Sequence, residues 1–140
     1  MGKVLYFSVV VCLFPFLVMA QQNQNVADKI VGVYWSPKKD AKIEIFKSGG
    51  KYFGKFIWAS IARKDTKNPS RALRQRELLG VVFLTNFSYS KGTYKEGEVY
   101  DPESGKTYDC VMSLVGNDLK VRGYWGLSQF GRTEVFERVL

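Results

Sequence analysis

The chain has 140 residues, a formal net charge of +8 and no histidine. That length supports one domain rather than two. The missing histidine excludes Ser-His-acid triads, the commonest general base and most zinc sites. The positive charge favours anionic partners, or solubility alone.

The first twenty residues have the layout of a secretory signal peptide. Lys3 precedes the apolar run Val4–Met19, the small residues Val18 and Ala20 suit a cleavage site, and the polar stretch Gln21–Asn25 follows. An uncleaved anchor is the alternative, but the run is short for a span of about 20 residues. Residues 1–20 are therefore expected to be removed, 21–28 to form a disordered leader, and 29–140 to fold as one domain. The protein is expected to be exported, periplasmic or secreted, with no membrane-spanning segment after cleavage. Cys12 would leave with the leader, so Cys110 would be the one remaining cysteine and no intramolecular disulfide would form.

From Ile30 onward, apolar residues recur with period two between turn signals. Ile30–Trp35 is the first expected strand, turned by Pro37–Asp40. Ala41–Ser48 and Lys51–Ser60 flank Gly49-Gly50, a tight hairpin turn. Tyr52, Phe56 and Trp58 are expected on one face of the third strand. Ile61–Leu79 is the one long connection; Asn68 before Pro69 suggests a helix start, so Pro69–Leu78 reads as one short helix or a few helical turns. Strands resume at Gly80–Tyr89, Thr93–Tyr100, Thr107–Val115, Asp118–Trp125 and Arg132–Leu140. Asp101-Pro102-Glu103-Ser104-Gly105 supplies a capping Asp, a fixed φ and a left-handed residue for the turn between two of them. About eight strands with short connections must be antiparallel neighbours. Closing them removes two exposed edges. The expected fold is all-β: a small antiparallel up-and-down barrel of lipocalin-like kind with one short helical insertion. A two-sheet sandwich is the alternative.

Three segments carry a family pattern. They are Asn68-Pro69-x-x-Ala72-Leu73-Arg74-x-Arg76-x-Leu78-Leu79-Gly80, Tyr100-Asp101-Pro102-Glu103-x-Gly105-Lys106-Thr107-Tyr108-x-Cys110, and Leu119–Tyr124 through Phe130-Gly131-Arg132-Thr133. With Gly32-Val33-Tyr34-Trp35, they resemble the bacterial exported family DUF2147 from about Ile30 to Val139. The connection between Trp58 and Asn68 looks shorter than that pattern, and Phe136 stands where a tryptophan is expected. The resemblance implies an envelope protein and a β-rich fold, and it implies no activity. Gly32-x-x-Trp35 with Arg138 also looks like the lipocalin-type arrangement, in which a late arginine covers an early tryptophan at the barrel base.

Cys110 shares a strand face with Tyr108, Met112 and Leu114, which reads as a buried small apolar residue rather than a nucleophile or metal ligand. Asp101, Glu103, Asp109, Glu96 and Glu98 look like turn-cap and solvent-face carboxylates, so no catalytic residue, metal ligand or cofactor is assigned and a carboxylate enzyme is the least favoured reading. The favoured function is a noncatalytic envelope module, expected to be monomeric, that binds a small amphipathic or anionic ligand. Trp35, Trp58, Tyr108 and Trp125 would supply contact area, and Arg122 or Arg132 would fix a charged group. The same aromatics could equally fill the interior. The alternative is a structural or interaction protein that meets an envelope component through Arg71, Arg74 and Arg76; the bland reading of that patch is a solvated loop pinned to the barrel by one arginine. The patch lacks interleaved aromatics, so no nucleic-acid partner is expected.

Overall fold

The computed structural model describes residues 2, 4, 26–126 and 131–140. The expected signal peptide, positions 21–25 of the expected leader and 127–130 of the last connection lie outside the described residues apart from Gly2 and Val4.

The alternating segments form eight strands among the described residues: β1 Gly32–Trp35, β2 Ala41–Ser48, β3 Lys51–Ala59, β4 Val82–Ser90, β5 Thr93–Asp101, β6 Lys106–Val115, β7 Asp118–Tyr124 and β8 Gly131–Arg138. Each pairs antiparallel with the next, and β8 returns to β1, so the sheet closes into an up-and-down barrel. Closure, not a sandwich, is how this chain disposes of its edges.

Alternation sends Tyr34, Ile43, Ile45, Tyr52, Phe87, Tyr94, Met112 and Leu119 into the barrel, where all are buried. Burying a phenol requires a partner for its hydroxyl. The chain just before β1 provides three. Tyr34 donates to the Ile30 carbonyl at 2.7 Å, Tyr94 to the Ala27 carbonyl, and Tyr52 to the Asp28 carboxylate. This segment ends in a 3-10 turn, Asp28–Ile30, and with Ile30 fully buried it stops the lower end of the barrel. Ala27 and Asp28, placed in the leader by the sequence reading, are thus packed parts of the domain.

The seam between β1 and β8 has two register pairs, Tyr34↔Arg138 and Trp35↔Glu137. Arg138 reinforces it. Its guanidinium donates to the carbonyls of Lys29 (2.6 Å), Val31 (3.3 Å) and Asn117 (3.1 Å) and to the Tyr34 hydroxyl (2.6 Å), and lies 4.7 Å from the Tyr34 ring centre. A Cβ on Gly32 would sit 2.5 Å from Arg138 Nη1, so glycine leaves the space the guanidinium occupies. The late arginine does cover an early aromatic at the base, but the aromatic is Tyr34. Trp35 follows Tyr34 in the strand and so points outward.

Two other expectations are corrected. The β2–β3 register shifts between Lys42 and Ile43, where Ile43 pairs Phe56 but Lys42 pairs Trp58. The extra residue in β3 is a bulge, which reverses the side-chain direction beyond it. Trp58 therefore leaves the face it was expected to share with Tyr52 and Phe56. Of the short helix or few helical turns expected over Pro69–Leu78, the connection after β3 forms a single 3-10 turn, Arg71–Leu73. Its backbone bonds across itself instead: Asp65 N–H donates to the Arg76 carbonyl, Leu78 N–H to the Arg63 carbonyl, and Lys64 bridges Glu77. Those pairings claim the groups that a longer helix would have used.

A buried carboxylate holds this connection. Asp65 is fully buried and accepts from Tyr100 (2.6 Å), Asn68 (2.8 Å) and Arg76 (2.9 Å from Nε, 2.8 Å from Nη2). Burial alone would raise its pKa; the three donors and the arginine charge outweigh that and hold the carboxyl below its ordinary value. Gly105, at φ 72°, completes the docking, because a Cβ there would meet the Lys67 carbonyl oxygen at 2.0 Å.

Candidate functional site

The β5–β6 hairpin and the end of β7 build the site. The Asp101–Gly105 turn fixes the register of β5 against β6. Asp101 accepts from the Glu103 N–H (3.0 Å) and the Ser104 hydroxyl (2.8 Å), which is the capping role its position suggested. Counting back from that turn sets Glu98 opposite Asp109, and β7 adds Tyr124 opposite Asp109. Two carboxylates and a phenol therefore stand side by side in one row across three strands.

One residue further, β7 ends and Trp125 leans on Tyr108, with ring centres 5.7 Å apart and planes at 73°. Between row and rings lies an open cleft of about 410 Å³ lined by Glu98, Thr107, Tyr108, Asp109, Tyr124, Trp125 and Gly126. Trp125 is 65% exposed, so its face is available to a visitor. The chemistry on offer is aromatic surface beside two carboxylates and the three hydroxyls of Thr107, Tyr108 and Tyr124. That set suits a ligand with an apolar body and a cationic or hydrogen-bond-donating head. It repels an anion.

The nine residues singled out from sequence do not converge. Tyr108 and Trp125 meet in the cleft. Trp35 and Trp58 meet elsewhere, on the outer wall, 5.9 Å apart and edge to face. Arg122 donates to Thr133 at 2.9 Å, and Arg132, 82% exposed, pairs with Glu134 at 2.7 Å. Arg74 donates to the Asn68 carbonyl at 2.7 Å and Arg76 pairs with Asp65, so two of the three patch arginines hold the connection in place. Arg71 stays exposed.

Glu98 and Asp109 read from sequence as solvent-face carboxylates, and Asp65 is not singled out there. For the first two a signal existed: the turn at Asp101–Gly105 dictates which residues face each other. For Asp65 there was none, because its donors come from 11 and 35 residues away. Cys110 is buried, and burial pushes its thiol up to about 12, which leaves it protonated and unreactive at neutral pH. Among the described residues, no group of three or more Cys, Asp or Glu is placed to hold a metal ion. No helix among them is long and apolar enough to cross a membrane.

Comparison with known proteins agrees with this architecture. The model of the family described as "Uncharacterized protein conserved in bacteria (DUF2147)" matches residues 32–138. A solved structure described as "Protein HP1028 from the human pathogen Helicobacter pylori belongs to the lipocalin family" superposes with a TM-score of 0.72 at 29% identity, covering 79% of this chain and 83% of that one. No curated protein matches.

Proposed function

We propose, from the premise that this chain belongs to the bacterial DUF2147 family, that it is a noncatalytic binding module for a small amphipathic ligand held in the rim cleft of β5–β7. The observation that carries the reading is the Glu98–Asp109–Tyr124 row beside the Tyr108–Trp125 pair. The lipocalin-family neighbour supports it at the level of fold.

The barrel centre favours a rim site over an internal one. It is occupied by Tyr34, Tyr52, Phe87 and Tyr94, and among the described residues every buried side-chain nitrogen and oxygen has a hydrogen-bond partner. The carboxylate row moves the expected ligand from anionic to cationic or polyhydroxylated at the head. How several reactive groups are used supports a noncatalytic role: Cys110 is a protonated core residue, Asp65 braces the connection and Asp101 caps a turn. The apolar leader supports an exported, envelope location.

A matched pair of probes tests the reading. Decyltrimethylammonium and decyl sulfate share a tail and differ in head charge. Trp125 fluorescence is followed in titrations below the micelle concentration. The ammonium probe is expected to bind at least tenfold more tightly, against the bias of a chain carrying +8. Glu98→Gln with Asp109→Asn should erase the preference. Tighter binding of the sulfate, or a preference that survives both substitutions, overturns the proposal.

A further inference from the structure

The outer wall of β1–β3 is unlike the outside of an ordinary barrel. Alternating positions there should be polar. Tyr34, Ile43, Ile45 and Gly54 face inward, so their strand neighbours face out. Those neighbours include aromatic rings in two clusters, each with a lysine over it.

The first cluster is a row across three strands, Trp35, Lys42 and Trp58. Lys42 Nζ lies 4.5 Å from the Trp35 ring centre and 5.7 Å from that of Trp58. Trp58 is 42% exposed. The second is Phe46 stacked on Phe53 at 5.7 Å, with Lys55 Nζ 5.2 Å above Phe46. Glu44 stands between the clusters, 3.7 Å from Lys55. Lys42 and Lys51 have no ion-pair partner among the described residues, so the wall keeps an excess of positive charge. The bulge that turns Trp58 outward is what creates the first cluster.

A ring with an ammonium beside it is the chemistry of an interfacial anchor. The ring occupies the headgroup level, and the lysine lays its stem on apolar surface while its charge reaches a phosphate. The wall of a closed barrel is convex, which suits a broad surface and gives a peptide no groove. We propose that the outer wall of β1–β3 docks on a bilayer surface rich in anionic lipid, with Trp35 and Trp58 at the headgroup boundary and Lys42 and Lys51 on the phosphates.

The test uses the full chain carrying Trp125→Phe, so that fluorescence reports Trp35 and Trp58. Vesicles contain lipids brominated along their acyl chains and are made of phosphatidylcholine alone or mixed with phosphatidylglycerol. Any tethering by the apolar leader is common to all variants and both vesicle types. Quenching is expected with the anionic vesicles and much less with the neutral ones. Lys42→Glu with Lys51→Glu should weaken the anionic-vesicle response at least tenfold. Arg71→Glu with Arg74→Glu makes the same charge change elsewhere and should weaken it less than threefold, with circular dichroism showing that both variants keep the barrel. No quenching by anionic vesicles, or equal losses from the two charge-matched variants, overturns the proposal, as does a loss confined to the arginine pair.

Discussion

Asp65 and Cys110 are both buried ionisable groups, and they are charged differently because their neighbours differ. Asp65 meets three donors; Cys110 meets a strand face of apolar side chains. Their pKa values move in opposite directions relative to the ionised form, and the pH dependence of stability follows. The folded carboxyl of Asp65 lies below its unfolded value. Its contribution is therefore full above about pH 4, the unfolded carboxylate range, and is lost as pH falls through the folded value. Asp65→Asn should flatten the acid limb of a melting-temperature profile, and Asp65→Ala should cost about 2–3 kcal/mol at pH 7 by stranding the Tyr100 hydroxyl and the partly exposed Arg76. Urea unfolding at two pH values checks both. Cys110 is the reverse. Its folded pKa is raised to about 12, so its contribution is full below about pH 8.5 and falls as pH rises from there toward 12. Cys110→Ala should delay the onset of alkaline destabilisation to about pH 10, where the tyrosines begin to matter. An onset unchanged by the substitution would mean that the thiol is not the group that titrates first.

At the scale of the elements, hairpin turns were legible and bulges were not. Gly49-Gly50 and Asp101–Gly105 mark themselves, because their backbone conformations demand glycine or a capping side chain. Each bounds strands close to those expected. A bulge carries no comparable mark. Those in β4 and β5 place Asn86 and Glu96 at positive φ, and neither residue announces it. The β2–β3 bulge alone moved Trp58 from the inside to the outside. The connection after β3 shows the same limit: Asn68 accepts from the Ser70 N–H at 2.8 Å but caps no helix, because the 3-10 turn starts after Ser70 with no side-chain cap bond and pairing across the connection holds the rest. The β1–β8 seam depends on one side chain more than on its ladder. Arg138→Ala removes four hydrogen bonds and the ring contact with Tyr34. It should cost about 3 kcal/mol, and amide exchange should speed up first in β1 and β8. Uniform acceleration around the barrel would contradict that view of the seam.

For the molecule as a whole, closure was readable from strand number and loop length, because eight short antiparallel strands in one small domain have few other ways to hide two edges. The site was readable only in part. Tyr108 and Trp125 were named from their aromatic character, but their partners Glu98 and Asp109 emerge from register, which depends on the folded sheet. The result is a barrel that buries Tyr34, Tyr52, Phe87 and Tyr94 at its centre and presents chemistry on its outside, in a rim cleft of acids and rings and on a wall of rings and lysines. The most direct measurement of the central claim is a titration of the 15N-labelled protein with decyltrimethylammonium, followed amide by amide. The account predicts saturable shifts concentrated at Glu98, Thr107–Asp109 and Tyr124–Gly126, with the amides of Tyr34, Tyr52 and Tyr94 unmoved. Shifts centred on those interior tyrosines, or on Arg71–Arg76, would contradict it.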